Sequence, residues 1–321
     1  MNRDNALCEH CAKIPFQPGL TSLVEGTYRD ATTWPIGTFK EVRSRDCPFC
    51  ILVTTICSKW AEGGGSWRPI VPPGDSEIIT TRWFSRGFET RHHSRPGSYV
   101  CIAGNHPLDG ILCARENLDP WINFQEVRRW ISRCRSTHDD CEGPDQSSLN
   151  FKEHRFRLID VMEKCIVEAS RSCTYVALSY VWGDPTDGRL QLRSGNQADL
   201  LKANSLGTTW SSIPMTIRDA ITVTKELRQR YLWVDSLCLV QDDADELREC
   251  VTLMDRIYQE AVFTIVGASG QDAYSGLPGV IPTARETQRL VKEIIPGLRM
   301  TTVHDLDYWL RPSKYSQRGW T

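Results

Sequence analysis

Three apolar segments in the second half of the chain have the pattern of buried strands: Tyr175–Asp184, Tyr231–Val240 and Ala261–Ser269. β-branched and aromatic residues dominate these segments. Between them, apolar residues recur at helical spacing in Ile217–Thr224 and again in Leu247–Tyr258. This alternation of strand and helix is typical of right-handed βαβ units. It predicts an α/β fold with a parallel sheet and flanking helices.

The first half of the chain shows a different pattern. Asp46-Cys47-Pro48 is typical of a helix start, and apolar residues follow it at helical spacing. Alternating segments with turn residues between them predict a small antiparallel meander, and Trp121–Arg135 predicts an amphipathic helix. We therefore predict a smaller, Cys-rich, mixed α+β region at 1–145 and an α/β domain at 146–321. The polar segment Glu142–Asn150 is the expected boundary.

Composition narrows the function classes. The chain has 321 residues and a formal net charge of −2, which gives no electrostatic basis for binding nucleic acid or an anionic membrane. No apolar run approaches the roughly 18 residues of a membrane span. The first residues lack the apolar segment of a signal peptide. The 13 cysteines therefore suggest reduced thiols or metal ligands in a cytoplasmic protein.

Two C-x-x-C pairs lie in the first part of the chain, Cys8/Cys11 and Cys47/Cys50. Together they offer the four thiolates that a structural zinc ion requires. The pairs are farther apart than in compact zinc ribbons, and cysteines are also good buried apolar residues. Zinc binding and two pairs of core thiols are therefore both open. For His10, between the first pair, we expect solvent exposure.

Other candidate ligands are less complete. Cys134, His138 and Cys141 have plausible zinc spacing but provide only three ligands, so we expect them to tie down a helix end. A zinc site shared with the first C-x-x-C pair stays open. The adjacent histidines His92 and His93 lie in a polar loop, where we expect solvent exposure.

Candidate site residues follow the predicted strands, at the edge where parallel sheets bind ligands. The alternative interpretation is structural: Asp235 would cap local amides, and Gln241-Asp242-Asp243 would cap a helix. No histidine lies between His154 and His304, and neither a Rossmann fingerprint nor a P-loop is present. The candidates are Ser179, Tyr180, Trp182, Gly183, Asp184, Asp235, Cys238, Gln241, Asp242 and Glu246.

Six ordered blocks between Tyr175 and Thr321 resemble the signature of the fungal heterokaryon-incompatibility (HET) domain: YVALSYVWGD, IPMTIRDAI, LWVDSLCLVQDD, MDRIY, VGASGQDAYSGLPG and RGWT. Upstream, WISRCRSTHDDC and RLIDV resemble the lead-in of many such proteins. The resemblance implies self/non-self recognition and regulated cell death in a filamentous fungus. It also implies protein partners or self-association through the core.

The HET family is also distantly similar to TIR domains, some of which cleave NAD. The resemblance thus implies a TIR-like core, NAD as a substrate, and Arg318 and Trp320 of RGWT as further pocket residues. Cleavage of a glycosidic bond needs a positioned carboxylate. Catalytic TIR domains have a glutamate four residues after a tryptophan, and HET domains commonly continue RGWT as RGWTFQE.

This chain ends at Thr321, before that glutamate. We therefore expect a C-terminally short HET domain in which Glu246 is the one substitute acid. An interaction or signalling domain is the expected function, and an NAD hydrolase is the alternative. No cofactor is certain from the sequence, and the candidates are a structural zinc ion and NAD as a substrate.

Overall fold

The computed structural model describes residues 6–16, 33–59, 73–84, 87–91, 98–103, 114, 118–138, 156–169, 173–184, 186, 188–285, 287, 289–304, 306–310 and 313–317. The chain divides into two compact units. Unit 1 comprises Met1–Leu118 and Glu286–Gln317, and unit 2 comprises Asp119–Arg285 and Arg318–Thr321. Unit 1 is thus built from two separate parts of the chain, unlike the contiguous segments 1–145 and 146–321 of the prediction. The predicted boundary segment lies outside the described residues.

The described strands are β1 (Thr33–Thr38), β2 (Ile78–Phe84), β3 (Gly87–Arg91), β4 (Ser98–Ile102), β5 (Arg157–Asp160), β6 (Cys165–Glu168), β7 (Val176–Tyr180), β8 (Tyr231–Trp233), β9 (Thr264–Gly267), β10 (Val291–Ile295) and β11 (Leu298–His304). The described helices are α1 (Phe39–Ser44), α2 (Pro48–Lys59), α3 (Phe124–Thr137), α4 (Gln197–Leu200), α5 (Ser205–Thr208), α6 (Met215–Glu226), α7 (Asp235–Cys238), α8 (Ala244–Gln259) and α9 (Leu306–Leu310).

Unit 1 is built on an antiparallel sheet with the strand order β1-β2-β3-β4-β11-β10. The predicted meander is present as β2, β3 and β4. The predicted helix start at Pro48 is also correct, because α2 begins there. Phe49, Leu52, Val53 and Ile56 recur at helical spacing along α2, and all four are buried in the core of unit 1. This burial accounts for the helix.

β10 and β11 lie in a segment where the sequence pattern predicts no strands. They form a hairpin, and β11 pairs with β4 far back in the sequence. Ile294, Leu298 and Met300 contribute buried side chains to the core of unit 1. The apolar residues of this segment do not alternate regularly with polar ones, so the strand pattern is weak, and pairing with β4 stabilises the hairpin.

Unit 2 contains a mixed sheet with the strand order β6-β5-β8-β7-β9. β7 lies between β8 and β9 and is parallel to both, which confirms the parallel strands. β5 is antiparallel to β6 and β8, so the sheet is not purely parallel as predicted. Asp160 stabilises the turn between β5 and β6, because its Oδ1 accepts hydrogen bonds from the backbone N–H groups of Met162 and Glu163. The fold of unit 2 is mixed α/β.

The second predicted strand is much shorter than expected. β8 ends at Trp233, and the chain then turns into α7, where the N–H groups of Leu237 and Cys238 bond to the carbonyl of Val234. Both residues are buried. A short apolar run cannot by itself distinguish a buried strand from a buried helical turn. The pattern therefore predicted burial correctly and the conformation incorrectly.

The two long helices of unit 2 follow the predicted spacing to different degrees. In α6, the predicted face of Ile217, Ala220, Ile221 and Thr224 is entirely buried. In α8, Ile257 of the predicted apolar stripe is buried, and Leu247, Met254 and Tyr258 pack against the core. Val251 was also predicted on this stripe, but it is 49% exposed, so the prediction is wrong at that position. None of the described helices combines the length and the apolar character that a membrane crossing requires.

Candidate functional site

The carboxyl ends of β7 and β8 bring three predicted site residues together. Tyr180 is the last residue of β7, and its hydroxyl donates a hydrogen bond to Oγ of Ser236 at 3.0 Å. The indole Nε1 of Trp182 donates to Oδ2 of Asp235 at 2.9 Å. Asp235 begins α7 just beyond β8, and β7 and β8 are parallel, so both strands end at the same edge of the sheet. The expected convergence holds for these side chains.

Arg189 joins this group, although the sequence analysis did not select it. Its Nη1 donates to the backbone oxygen of Trp182 at 2.6 Å, and its Nη2 donates to the backbone oxygen of Asp184. The guanidinium carbon lies 5.6 Å from the centroid of the Trp182 ring, within cation–π range. Arg189 comes from a polar loop without a motif, so no local pattern could have identified it. We call Tyr180, Trp182, Arg189, Asp235 and Ser236 the strand-end cluster.

The electrostatics of the strand-end cluster keep Tyr180 neutral. Burial raises the pKa of the Tyr180 phenol well above its usual range, and the nearby Asp235 carboxylate raises it further. Asp235 accepts hydrogen bonds through both oxygens, because Oδ1 is bonded to the backbone N–H of Ser236 at 2.8 Å. This bond matches the structural alternative, in which Asp235 caps local amides. The cluster places a carboxylate and an indole at the edge where α/β sheets generally bind ligands.

Gly183 allows another loop to approach the end of β7. Its φ angle is +83°, a region that side-chain-bearing residues rarely adopt, and a Cβ there would lie 2.6 Å from Cβ of Asp272. The backbone N–H of Ala273 donates to the carbonyl of Trp182 at 3.2 Å. Gly183 is therefore needed for close packing of two backbone segments.

The same loop is held from its other side by α6. Oγ1 of Thr216 accepts a hydrogen bond from the backbone N–H of Gly276 at 3.1 Å. Oδ2 of Asp219 accepts one from the N–H of Leu277 at 2.8 Å. These bonds join the block IPMTIRDAI to the block VGASGQDAYSGLPG. Thr216 and Asp219, which lie in a block that resembles the HET signature, therefore hold the loop after β9 in place.

Two further candidates in the first block have different surroundings. Asp184 is exposed, and its Oδ1 accepts hydrogen bonds from the hydroxyl and the N–H of Thr186 at 2.7 and 2.8 Å. These bonds lower the pKa of Asp184. Ser179 is half-buried in β7, opposite Val266 of β9. Arg189 links Asp184 to the strand-end cluster, because it bonds to the backbone oxygen of Asp184 and its charge also lowers the pKa of the Asp184 carboxyl.

The segment Gln241-Asp242-Asp243 has mainly structural contacts. The side-chain amide of Gln241 donates to the backbone oxygens of Asp235 and Leu239 at 2.9 and 3.0 Å. Oδ1 of Asp242 accepts from the N–H of Ser194 at 2.8 Å, which lowers the pKa of Asp242. Asp243 caps α8 by accepting from two N–H groups of its first turn. The predicted helix cap is thus present at Asp243.

Glu246, the predicted substitute acid, lies in a buried ion pair. Its Oε1 accepts from Nη1 of Arg157 at 2.7 Å and from the backbone N–H of Val240 at 2.9 Å. Glu246 and Arg157 are 4% and 5% exposed. Cys238 is also buried, and burial raises the pKa of its thiol to about 12. These contacts give both residues a structural role, and a catalytic role for Glu246 stays a prediction. Arg318 and Trp320 lie outside the described residues.

The four cysteines of the two C-x-x-C pairs meet in unit 1. The sulfurs of Cys8, Cys11, Cys47 and Cys50 all lie within 4.8 Å of one another. We call this group the four-cysteine cluster. Three of its members are buried, and Cys8 is half-buried. Among the described residues, these four thiols form the group whose side chains could hold a metal ion.

The other potential ligand set is only partly visible. Sγ of Cys134 lies 3.4 Å from Nδ1 of His138 at the end of α3. This contact agrees with the expected tie at a helix end. Cys141 and the pair His92-His93 lie outside the described residues.

Comparison with known proteins finds similarity in the second half of the chain. Residues 175–321 match the family model described as "Heterokaryon incompatibility protein (HET)". The chain is 31% identical over 143 residues to "Heterokaryon incompatibility protein 6, OR allele" of Neurospora crassa, which covers 38% of this chain and 20% of that relative. The match thus spans about a fifth of the relative's length. No solved structure matches the chain. Residues 175–321 therefore resemble the heterokaryon incompatibility (HET) family, both in the family model and in this relative.

Proposed function

We propose that this chain acts in fungal heterokaryon incompatibility, as an interaction or signalling domain in self/non-self recognition and regulated cell death. The family match over residues 175–321 carries the proposal. It is supported by the printed name of the Neurospora crassa relative, which is itself a heterokaryon incompatibility protein.

The surroundings of the candidate residues favour interaction over catalysis. Glu246 is buried in its pair with Arg157, and the thiol of Cys238 is buried with a raised pKa. In contrast, β9 lies at one end of the described sheet of unit 2, and Val266 on it is 41% exposed. An edge strand presents backbone N–H and C=O groups to which another chain can pair. A protein partner or a second copy at β9 fits this arrangement.

Inducible expression in a filamentous fungus tests the proposal. We expect growth arrest and uptake of a vital dye on induction, in at least one of several strains that differ in incompatibility alleles. Asp235→Ala, which breaks the bond from Trp182, should weaken this response. Asp199→Asn, at an exposed surface pair, should not. Accumulation of the protein in every strain without any growth defect would refute the proposal.

A fluorescent fusion in the same strains tests the cytoplasmic location that we propose. The four-cysteine cluster of Cys8, Cys11, Cys47 and Cys50 suits a reducing compartment, where thiols stay available as ligands. We expect diffuse cytoplasmic fluorescence. Fluorescence confined to the secretory pathway would contradict the proposed location.

A second candidate function is NAD hydrolysis by a TIR-like core. The strand-end cluster favours it, because a carboxylate and an aromatic ring lie at the edge where α/β sheets bind ligands. A carboxylate there could stabilise an oxocarbenium-like transition state. The test is nicotinamide release from NAD by the purified chain, beside Asp235→Asn and Glu246→Gln.

Release that Asp235→Asn abolishes without loss of folded protein would support NAD hydrolysis through the strand-end cluster. Loss only in Glu246→Gln, after correction for the folded fraction, would support the substitute acid instead. No release by the folded wild-type chain would contradict the second candidate and leave the interaction function in place.

A further inference from the structure

We propose that the four-cysteine cluster binds one structural zinc ion through the thiolates of Cys8, Cys11, Cys47 and Cys50. The site lies in unit 1, outside the residues that match the HET family. It is therefore independent of the proposed function.

The sulfur–sulfur distances are those of a tetrahedral zinc site. With Zn–S bonds of about 2.3 Å, neighbouring sulfurs of a regular tetrahedron lie about 3.8 Å apart. Sγ of Cys50 lies 3.8 Å from Sγ of Cys8 and 3.6 Å from Sγ of Cys11. All four sulfurs lie within 4.8 Å of one another, so a single ion can contact all of them after small adjustments.

The backbone of each pair forms a turn that directs both of its sulfurs inward. In the first pair, the N–H of Ala12 bonds to the carbonyl of Cys8 at 2.9 Å, and a 3₁₀ turn begins at Cys11. In the second pair, the N–H of Ile51 bonds to the carbonyl of Cys47 at 2.9 Å, and α2 begins between the two cysteines. Two local turns thus supply two ligands each.

Polar groups around the sulfurs suit thiolates. The sulfur of Cys47 accepts hydrogen bonds from the backbone N–H groups of Cys8 and Cys50. The charge of Arg45 acts on Cys8 and Cys50. Its guanidinium also bonds to the backbone oxygen of Ile36 and lies 3.8 Å from Oε2 of Glu41. A zinc ion with four thiolates has a net charge of −2, and these donors partly offset it.

Two simpler explanations account for fewer of these observations. A disulfide would join only two of the four sulfurs, and its bond of about 2.05 Å is far shorter than the contacts at Cys50. Packed core thiols do not require all four sulfurs to lie within 4.8 Å of one another. Zinc binding explains both the number of ligands and their spacing.

When zinc binds, the thiols that are still protonated release their protons. One Zn²⁺ replaces the protons of those thiols that are still protonated, so that four thiols give four protons and one tetrathiolate complex. No oxidant or reductant is involved.

The full-length chain tests the proposal directly. We expect about one zinc ion per purified chain by elemental mass spectrometry, as a closed four-ligand site requires. Exchange with Co²⁺ should produce the visible absorption of a tetrahedral site and the near-ultraviolet charge-transfer bands of cobalt–thiolate bonds. Cys47→Ser should lose the metal and these bands.

Matched variants separate loss of a ligand from loss of the fold. Cys57→Ser changes another buried cysteine of α2 that is not part of the cluster, so it should retain the metal. Cys8→Ser changes the half-buried ligand, so it should fold and bind Co²⁺ with altered bands or not at all. If Cys47→Ser fails to fold, Cys8→Ser and the metal content of the wild-type chain still decide.

Three results would overturn the proposal. One is a folded wild-type chain that holds no zinc and gives no tetrahedral cobalt spectrum after reduction and reconstitution. Another is equal metal loss in Cys57→Ser and Cys8→Ser. The third is a disulfide between two members of the cluster, found by mass spectrometry in protein purified with reductant.

Discussion

Asp219 and Asp242 carry the same side chain, and their positions shift its pKa in opposite directions. Asp219 is buried beside the loop after β9, and burial raises the pKa of its carboxyl despite the hydrogen bond from Leu277. Asp242 is on the surface, and the hydrogen bonds from Ser194 lower its pKa. Desolvation penalises the charged form, whereas donated hydrogen bonds stabilise it.

These shifts predict a pH dependence of stability. Relative to Asp219→Asn, the free energy of unfolding of the wild-type chain should fall as pH rises above the unfolded Asp pKa of about 3.9. The reason is that the folded state holds the Asp219 proton more tightly than the unfolded state, so ionisation favours unfolding. Urea unfolding at several pH values measures this difference.

Asp242→Asn is the matched control. In the wild-type chain, the folded state lowers the pKa of the Asp242 carboxyl. The stabilising contribution of Asp242 is therefore complete above the unfolded pKa and is lost only as pH falls through the folded pKa. Between about pH 4.5 and 7, the difference between wild type and this variant should stay constant. The same slope in both variants would contradict the assigned shifts.

The buried pair of Glu246 and Arg157 predicts a large effect on stability. Glu246→Gln keeps the shape but leaves the Arg157 cation buried without its counter-charge. We expect a loss of about 3–5 kcal/mol in the free energy of unfolding. Chemical denaturation followed by circular dichroism measures it.

The control is the exposed pair of Arg248 and Asp245 on the same helix, with an N–O distance of 2.6 Å. Asp245→Asn should cost about 1 kcal/mol or less, because water screens exposed pairs. The double variant Arg157→Met/Glu246→Gln should recover part of the loss. Equal costs at the buried and exposed pairs would disprove the structural role of Glu246.

At the scale of elements, the turn after β7 depends on Gly183. Both Gly183 and Gly188 have positive φ angles, +83° and +72°, but only Gly183 faces another backbone segment closely. Gly188→Ala should therefore suffer the backbone strain alone, about 1–2 kcal/mol. Gly183→Ala should lose about 1–3 kcal/mol more, because its Cβ would overlap Asp272.

Chemical denaturation of the two variants compares these costs directly. A similar loss in both would mean that the loop at Asp272 moves away without cost. The close approach of this loop to β7 would then not contribute to stability.

At the scale of the whole molecule, each unit has its own buried apolar cluster. Leu52 belongs to the cluster of unit 1 and Leu178 to that of unit 2, and both are fully buried. Leu→Ala at either position should cost about 2–5 kcal/mol through lost burial and a new cavity. Amide hydrogen exchange should show lower protection in β4 and β11 for Leu52→Ala, and in β7 and β8 for Leu178→Ala.

The informative quantity is the difference in amide exchange rates between Leu52→Ala and Leu178→Ala, strand by strand. Hydrogen exchange reports local and sub-global opening separately for each strand. If Leu52→Ala accelerated exchange in β7 as much as in β11, the two clusters would not be independent sources of stability.

The amino-acid sequence by itself determined where burial occurs. The periods of α2 and α6, the strand at Val176–Tyr180 and the ordered blocks of the HET family were all readable from it. Local periodicity records which side of an element faces the core, so it can be recognised without knowledge of the partner. The two C-x-x-C pairs were recognisable as candidate ligands because their spacing is a local feature of the sequence.

Only the tertiary structure decided which segments and side chains meet. It added the hairpin of β10 and β11 to the sheet of unit 1, ended β8 at Trp233 and turned the following run into α7. It also placed Arg189 against Trp182, paired Arg157 with Glu246 and gathered the four cysteines. These contacts join residues through the fold of the chain, and such pairings leave no period in the sequence, because their energy depends on the partner.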